Sequence, residues 1–167
     1  GAVASLALPP LGLLPVLGLA FPAAIWLIDG STQAPGRFAW RTLRAAFTAG
    51  WAFGFGYFLG GLWWVGAAFT VETDEFIWLM PFGVLGLPAG LALFHGLGFL
   101  LARLFWSGGG RRVFAFAGAM GIVEWLRSWI LTGFPWNSLG QALGAFDATA
   151  QAASLVGLHG LTVMALL

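Results

Sequence analysis

The chain has 167 residues but no cysteine, no lysine and only 8% charged residues. Without those two residue types, no side chain can form a disulfide or act as a thiol or amine nucleophile. A soluble globular domain has roughly 25% charged residues, so this composition does not fit that class. All seven basic residues are arginines that do not share one soluble face, so nothing indicates nucleic-acid binding.

Hydrophobic residues, in contrast, make up 60% of the chain. Apolar stretches cover residues 11–28, 43–68, 77–104 and 113–131, and a further stretch begins near residue 151. These lengths are close to the ~20 residues that a helix needs to cross ~30 Å of hydrocarbon. The sequence therefore predicts an all-α, polytopic transmembrane helix bundle, with about four complete spans and partial helices at both ends.

The charges in the loops predict an orientation. Six of the seven arginines lie in or beside the loops at 29–37 and 107–112. The loops at 70–76 and 132–150 contain acidic residues but no basic ones. By the positive-inside rule, we expect the arginine loops in the cytoplasm and the acidic loops on the outer side.

Both ends of the chain suggest a piece of a longer protein. The first residue is Gly1 rather than methionine, and residues 1–8 and 155–167 are apolar but too short to span a membrane. We therefore expect residues 1–167 to be a transmembrane domain fragment.

Two opposite charges lie near the end of the fourth span. Glu124 and Arg127 are three residues apart, so they share one face of a helix. An isolated charge within the membrane costs about 2.5 to 3.5 kcal/mol, so pairing or a wet cavity is expected. Two interpretations remain open: a structural intramembrane ion pair that fixes helix packing, or a pair beside a polar lipid-binding cavity.

A rigid turn is predicted after this helix. Gly133 and Pro135 predict that the helix ends at Leu131. The candidate substrate-binding residues of the turn are Phe134, Pro135, Trp136 and Asn137. Asn137 and the following Ser138 can hydrogen-bond a lipid headgroup. The alternative is that the rings only anchor the chain at the membrane interface.

Other features favour structural roles. Glycines four residues apart predict close helix contacts, and they occur as Gly50/Gly54, Gly56/Gly60 and Gly86/Gly90. His95 suits either a proton relay or a hydrogen bond between helices. The acidic residues Glu72, Asp74 and Glu75 match no calcium loop, and we predict neither a metal site nor a cofactor.

The motif resembles the bacterial apolipoprotein N-acyltransferases. Their membrane region has a run Glu-x-Leu-Arg-x-Trp, then Thr-Gly-Phe-Pro-Trp, then Leu-Gly; here the three parts are 124–129, 132–136 and 139–140. The glycine-rich stretch 54–65 and the prolines between 9 and 22 are also similar, so the resemblance covers nearly the whole chain. Gln141 departs from the aromatic residue that many relatives carry there.

The resemblance implies an enzyme of the bacterial inner membrane with its Phe-Pro-Trp loop in the periplasm. Such an enzyme transfers an acyl chain from a phospholipid to the N-terminal amino group of a diacylglyceryl-cysteine lipoprotein. The family uses a Glu, Lys and Cys triad in a nitrilase-like domain, which we expect beyond residue 167. No catalytic residue is therefore assigned to this chain, and the fragment alone is predicted to be inactive.

Two other classes of protein remain as alternatives. In a transporter or channel fragment, Glu124, Arg127 and His95 would line a translocation path. In a non-catalytic membrane scaffold, the same region would bind lipid without any chemistry. A triad-containing domain after Leu167 would distinguish the acyltransferase from both.

Overall fold

A computed structural model describes residues 1–31, 39–71, 76–130 and 133–167. All regular elements within these ranges are helical, which confirms the all-α prediction. The α-helices are α1 (Ala2–Ser5), α2 (Leu17–Gly30), α3 (Ala39–Leu62), α4 (Leu87–Leu104), α5 (Arg111–Arg127), α6 (Asp147–Ala150) and α7 (Ala153–Leu166). Segments of 3₁₀-helix cover Leu14–Val16, Trp63–Thr70, Ile77–Leu79 and Leu139–Ala145, and Phe82–Gly86 is a π-helix.

Two continuous helical segments are long and apolar enough to cross a membrane, Trp40–Thr70 and Ile77–Leu104. They coincide with the predicted spans at 43–68 and 77–104. Two shorter apolar helices, Leu14–Gly30 and Ala153–Leu166, do not reach that length. α5 has only 17 residues, because it ends at Arg127 rather than at the predicted Leu131. The prediction of about four complete spans is therefore not confirmed.

The centre of the bundle is the close contact between α3 and α4. A Cβ atom added to Gly50 would lie 2.6 Å from Cβ of Phe99, and one added to Gly54 would lie 2.5 Å from Cβ of His95. Cβ atoms essentially never approach this closely, so the two glycines allow the two helices to touch. This contact confirms the prediction made from the Gly50/Gly54 pair.

The other two glycine pairs differ from each other. Gly56 and Gly60 face α1, where an added Cβ would lie 3.1 Å from the amide nitrogen of Ala2 and 2.5 Å from Oγ of Ser5, respectively. Around Gly86 and Gly90, the described part of the chain places no atom within 4 Å of an added Cβ. The predicted contact is thus present for the first pair and absent for the second within the described residues.

An ion pair connects α2 to the beginning of α5. Oδ2 of Asp29 lies 2.6 Å from Nη1 of Arg112, and Oδ1 accepts a hydrogen bond of 2.8 Å from Nε1 of Trp106. These contacts place the end of α2 and the beginning of α5 at the same end of the bundle. Outside the described residues lie 32–38 with Arg37, the acidic residues Glu72, Asp74 and Glu75, and Leu131 and Thr132 of the motif.

Candidate functional site

The two charges near the end of α5 form a buried ion pair. Nη2 of Arg127 donates to Oε2 of Glu124 over 2.7 Å, and each side chain is only 1% exposed. Removing two charges from water costs several kcal/mol per ion unless further hydrogen bonds satisfy them. The surroundings of this pair therefore have to provide hydrogen-bond partners, and they come from the turn that follows α5.

Arg127 binds the backbone of the turn. Its Nη1 donates to the carbonyl oxygen of Phe134 over 2.5 Å and to that of Trp136 over 2.8 Å. In the opposite direction, the amide nitrogen of Phe134 donates to the carbonyl oxygen of Arg127 over 3.1 Å. The guanidinium carbon also lies 5.2 Å from the ring centre of Phe58 on α3, within the range of a cation–π contact. One buried side chain thus holds the turn against two helices.

Glu124 binds the end of the turn. Its Oε2 accepts a hydrogen bond of 2.6 Å from Oγ of Ser138, in addition to the bond from Arg127. Ser138 is buried, so it does not present its hydroxyl group to the outside as the sequence suggested for a headgroup ligand. The reason is electrostatic: a buried carboxylate binds a nearby hydroxyl more strongly than a neutral acceptor does.

The shape of the turn depends on two residues with positive φ. Gly133 has φ of 82°, and a Cβ there would lie 2.3 Å from the carbonyl oxygen of Ser128, so only glycine fits. Asn137 has φ of 52°, which asparagine tolerates better than most residues. The rigid turn predicted from glycine and proline is present, but the helix ends four residues earlier than predicted. The carbonyl oxygen of Arg127 bonds to the amide of Phe134, which leads the chain into the turn.

The turn presents aromatic rings that contact the 3₁₀-helix Trp63–Thr70 after α3. The ring centres of Phe134 and Trp136 are 5.1 Å apart, and Trp136 lies 5.3 Å from Trp64. Trp136 remains 47% exposed. Phe134 also closes one end of an apolar groove of about 560 Å³ along α4, whose other lining residues are Gly86, Leu87, Gly90, Leu91, Leu93, Phe94 and Leu97. The open pair Gly86/Gly90 therefore forms part of the wall of this groove.

The side chain of Asn137 lies against α3. A Cβ on Gly61 would lie 2.0 Å from Nδ2 of Asn137, so Gly61 makes room for this side chain. Asn137 also lines a second cavity of about 410 Å³, together with Leu8, Pro9, Gly140, Gln141, Gly144, Ala150, Ala153, Leu158 and Leu161. Within the described residues, Nδ2 is buried without a hydrogen-bond partner.

The two histidines have different surroundings. His95 is fully buried between α3 and α4, where its ring lies 5.6 Å from that of Tyr57 and 5.0 Å from that of Phe58. Among the described residues, neither ring nitrogen has a hydrogen-bond partner, so the expected bond between helices is not formed. His159 on α7 does form a contact, since its Nε2 lies 3.3 Å from Oγ of Ser128.

The site thus contains residues that the motif alone did not identify. Phe58 and Gly61 come from α3, Trp64 comes from the 3₁₀-helix Trp63–Thr70 that follows it, and Thr162 comes from α7. The glycine-rich stretch 54–65 was the only available signal for the first three. No group of three or more histidine, aspartate or glutamate side chains that could hold a metal ion occurs in the part of the chain that the structure describes.

Comparison with known proteins matches the chain over its whole length. A family described as "Apolipoprotein N-acyltransferase N-terminal domain" matches residues 1–167. The apolipoprotein N-acyltransferase of Allorhizobium ampelinum is 52% identical over 165 residues, which are 99% of this chain and 31% of that protein. Proteins of the same name from Rhizobium etli and Rhodopseudomonas palustris are 49% and 51% identical, with 31% and 30% of their lengths covered. The chain therefore spans about a third of the length of these curated relatives.

Proposed function

The chain belongs to the apolipoprotein N-acyltransferase N-terminal domain family, and on this basis we propose that it forms the membrane part of an acyltransferase. The reaction transfers an acyl chain from a phospholipid to the N-terminal amino group of a diacylglyceryl-cysteine lipoprotein. The membrane is the bacterial inner membrane, which the chain crosses about four times. The arginine loops face the cytoplasm, and the acidic and Phe-Pro-Trp loops face the periplasm.

The lysine and cysteine of the family's triad would have to lie outside these 167 residues, since the chain has neither residue. We infer a nitrilase-like domain after residue 167 whose cysteine thiolate accepts the acyl group as a thioester. The phospholipid leaves as its lysolipid, and the lipoprotein amine then attacks the thioester and releases the thiolate. On this proposal, the chain alone has no transfer activity and serves to bind and orient the two lipid substrates.

The turn at 133–138 is the proposed substrate entrance, formed by Phe134, Pro135, Trp136 and Asn137. The observation that supports this role most directly is the fastening of its backbone by Arg127, which holds Trp136 half-exposed beside Trp64. A residue that only anchors a helix at the interface does not need a buried guanidinium to fix its backbone. A fixed apolar surface beside an apolar groove suits a lipid acyl chain.

The alternatives fit the geometry less well. A translocation path requires charged side chains that face a wet cavity. Glu124 and Arg127 are instead 1% exposed and bind each other and the turn. This arrangement supports the structural interpretation of the ion pair. A scaffold that binds lipid without chemistry would have the same membrane geometry, so the presence of a triad-containing domain after residue 167 is what distinguishes it.

The test compares two exposed tryptophans in a full-length protein that contains this chain. Trp136→Ala is expected to lower acyl transfer to a diacylglyceryl lipopeptide about tenfold or more, with an unchanged amount of membrane protein. Trp78→Ala is the matched control, because Trp78 is also exposed, at 65%, and is an equally good interfacial anchor. Equal effects of the two substitutions, or loss of the protein itself, would support anchoring and refute the entrance.

A further inference from the structure

α7 contacts the turn at 133–138 through the buried hydroxyl group of Thr162. Thr162 is fully buried, and its Oγ1 lies 3.1 Å from the amide nitrogen of Gly140 and 3.2 Å from Oγ of Ser138. The same oxygen lies 3.2 Å from the carbonyl oxygen of Leu158, one turn earlier in α7. Thr162 therefore contacts the turn as well as its own helix.

The available hydrogens identify the donor in two of the bonds around Thr162 and Ser138. Ser138 has one hydroxyl hydrogen, and the carboxylate of Glu124 at 2.6 Å takes it. The one hydroxyl hydrogen of Thr162 has two possible acceptors at 3.2 Å, the carbonyl oxygen of Leu158 and Oγ of Ser138. Thr162 in turn accepts from the amide of Gly140. The two directed bonds, from Gly140 to Thr162 and from Ser138 to Glu124, therefore meet where the two hydroxyl groups lie 3.2 Å apart.

Every second residue from 134 to 140 forms a hydrogen bond that holds the turn. The carbonyl groups of Phe134 and Trp136 bind Arg127, and the hydroxyl of Ser138 binds Glu124. The fourth point is the amide of Gly140, which binds Thr162. Three of these points depend on the ion pair in α5, whereas the fourth depends on α7. The position of the turn is therefore shared between two helices.

α7 is also shaped to approach this segment closely. A Cβ on Gly140 would lie 2.5 Å from the carbonyl oxygen of Leu158 and 2.7 Å from the amide nitrogen of Thr162, so the two backbones are in direct contact. Gly157 has φ of 67° and ψ of −179°, a break in the helix immediately before Leu158. His159, two residues after the break, contacts Ser128 at the end of α5. α7 thus holds both ends of the segment that contains the turn.

We propose that Thr162 is a positioning residue for the substrate entrance. Its hydroxyl group fixes Gly140 and Ser138, and through them it fixes the distance between α7 and the aromatic rings of the turn. Thr162 touches neither substrate. The expected effect on catalysis rests on the proposed function, whereas the effect on the position of the turn does not.

The experiment replaces the hydroxyl group while keeping the shape of the side chain. In the full-length protein, Thr162→Val removes the hydroxyl and Thr162→Ser retains it. Thr48→Val is the control, because the bond that the structure describes for the Thr48 hydroxyl stays within α3, to the carbonyl oxygen of Ala45. The first readout is amide hydrogen exchange, measured by mass spectrometry, for peptides that cover residues 133–141. The second is acyl transfer from phospholipid vesicles to a diacylglyceryl lipopeptide, analysed as KM and kcat separately.

Thr162→Val is expected to accelerate amide exchange in residues 133–141 roughly fivefold, because one net hydrogen bond is lost. The exchange rate of peptides from α3 is expected to stay unchanged. The substitution is also expected to raise the KM for phospholipid about fivefold and to change kcat less than twofold. Thr162→Ser and Thr48→Val are expected to behave like the unsubstituted protein. A role limited to general stability would instead reduce the amount of active protein, and with it kcat, at an unchanged KM.

Different results overturn the two proposals. Unchanged exchange in Thr162→Val refutes the positioning role, whatever the transfer assay gives. Accelerated exchange with an unchanged KM means that Thr162 positions the turn but that the turn is not the entrance. If the unsubstituted full-length protein transfers no acyl chain when phospholipid and lipopeptide are both supplied, the proposed function is refuted. The positioning role of Thr162 is not affected by that result.

Discussion

Among the described residues, two of the places that bury polar side chains do so in opposite ways. Near the end of α5, Glu124 and Arg127 bind each other and the turn at 133–138. Between α3 and α4, His95 is equally buried but forms no hydrogen bond among the described residues. Phe58 touches both places, with His95 at 5.0 Å and the guanidinium carbon of Arg127 at 5.2 Å from its ring centre.

The difference shows two ways of fixing a position in apolar surroundings. At the ion pair, hydrogen bonds with short distances set the location of each group. Between α3 and α4, the fit of side chains against glycines sets it, because Gly54 leaves space for Cβ and Cγ of His95. Hydrogen bonds can hold a loop that has little packing of its own, whereas shape can hold only elements that are already in contact. The turn therefore needs the charges, and the helix contact does not.

The largest expected effect follows from breaking the ion pair. Glu124→Gln keeps the shape of the side chain but leaves the charge of Arg127 buried and uncompensated, which costs about 3 to 5 kcal/mol of unfolding free energy. Unfolding of the full-length protein in detergent, followed by denaturant titration, measures this loss.

The control is the ion pair between Asp29 and Arg112, the other one that the structure describes. Asp29 and Arg112 are 34% and 35% exposed, and Asp29 also binds Trp106, so Arg112→Gln is expected to cost less than about 1 kcal/mol. Equal losses for the two substitutions would mean that burial does not distinguish the pairs.

A smaller effect is expected from disturbing the helix contact. Gly54→Ala places a methyl group 2.5 Å from Cβ of His95, and such overpacking costs about 1 to 3 kcal/mol. Gly90→Ala is the matched control, since the described residues leave open space there and alanine is the better helix former. If both variants unfold at the same denaturant concentration, the contact between α3 and α4 is not tight.

The smallest effect is expected at His95 itself. Its ring makes no hydrogen bond to the described residues, so His95→Met exchanges one buried group for another of similar volume, at a cost below about 1.5 kcal/mol. The same denaturant titration tests this. A loss as large as that of Glu124→Gln would show that His95 is held by polar bonds, and the contrast between the two places would disappear.

The predictions from the sequence succeeded where they depended on local patterns. The apolar stretches at 43–68 and 77–104 correspond to the helical segments Trp40–Thr70 and Ile77–Leu104. The spacing of Glu124 and Arg127 places both on one face, and their pairing at 2.7 Å follows from that spacing. Gly133 and Pro135 indicated a rigid turn, because each restricts the backbone by itself.

The predictions from the sequence were incomplete where contacts between distant residues determine the local structure. Gly133 and Pro135 predicted the end of α5 at Leu131, but the helix already ends at Arg127. Ser138 was expected to face a headgroup, but the carboxylate of Glu124 draws it inward. The Gly86/Gly90 pair has the same spacing as Gly50/Gly54, yet it lines a groove instead of a helix contact.

The sequence by itself determined the class of fold, the two longest helical segments, the ion pair and the turn that identifies the family. Each of these depends on residues within a few positions of one another, which share a helix face or restrict a backbone directly. The tertiary structure decided which partners complete the turn, namely Phe58 and Gly61 from α3 and Thr162 from α7. These partners are between about 20 and 80 residues away from the turn along the chain, so only the packing of whole helices brings them to it.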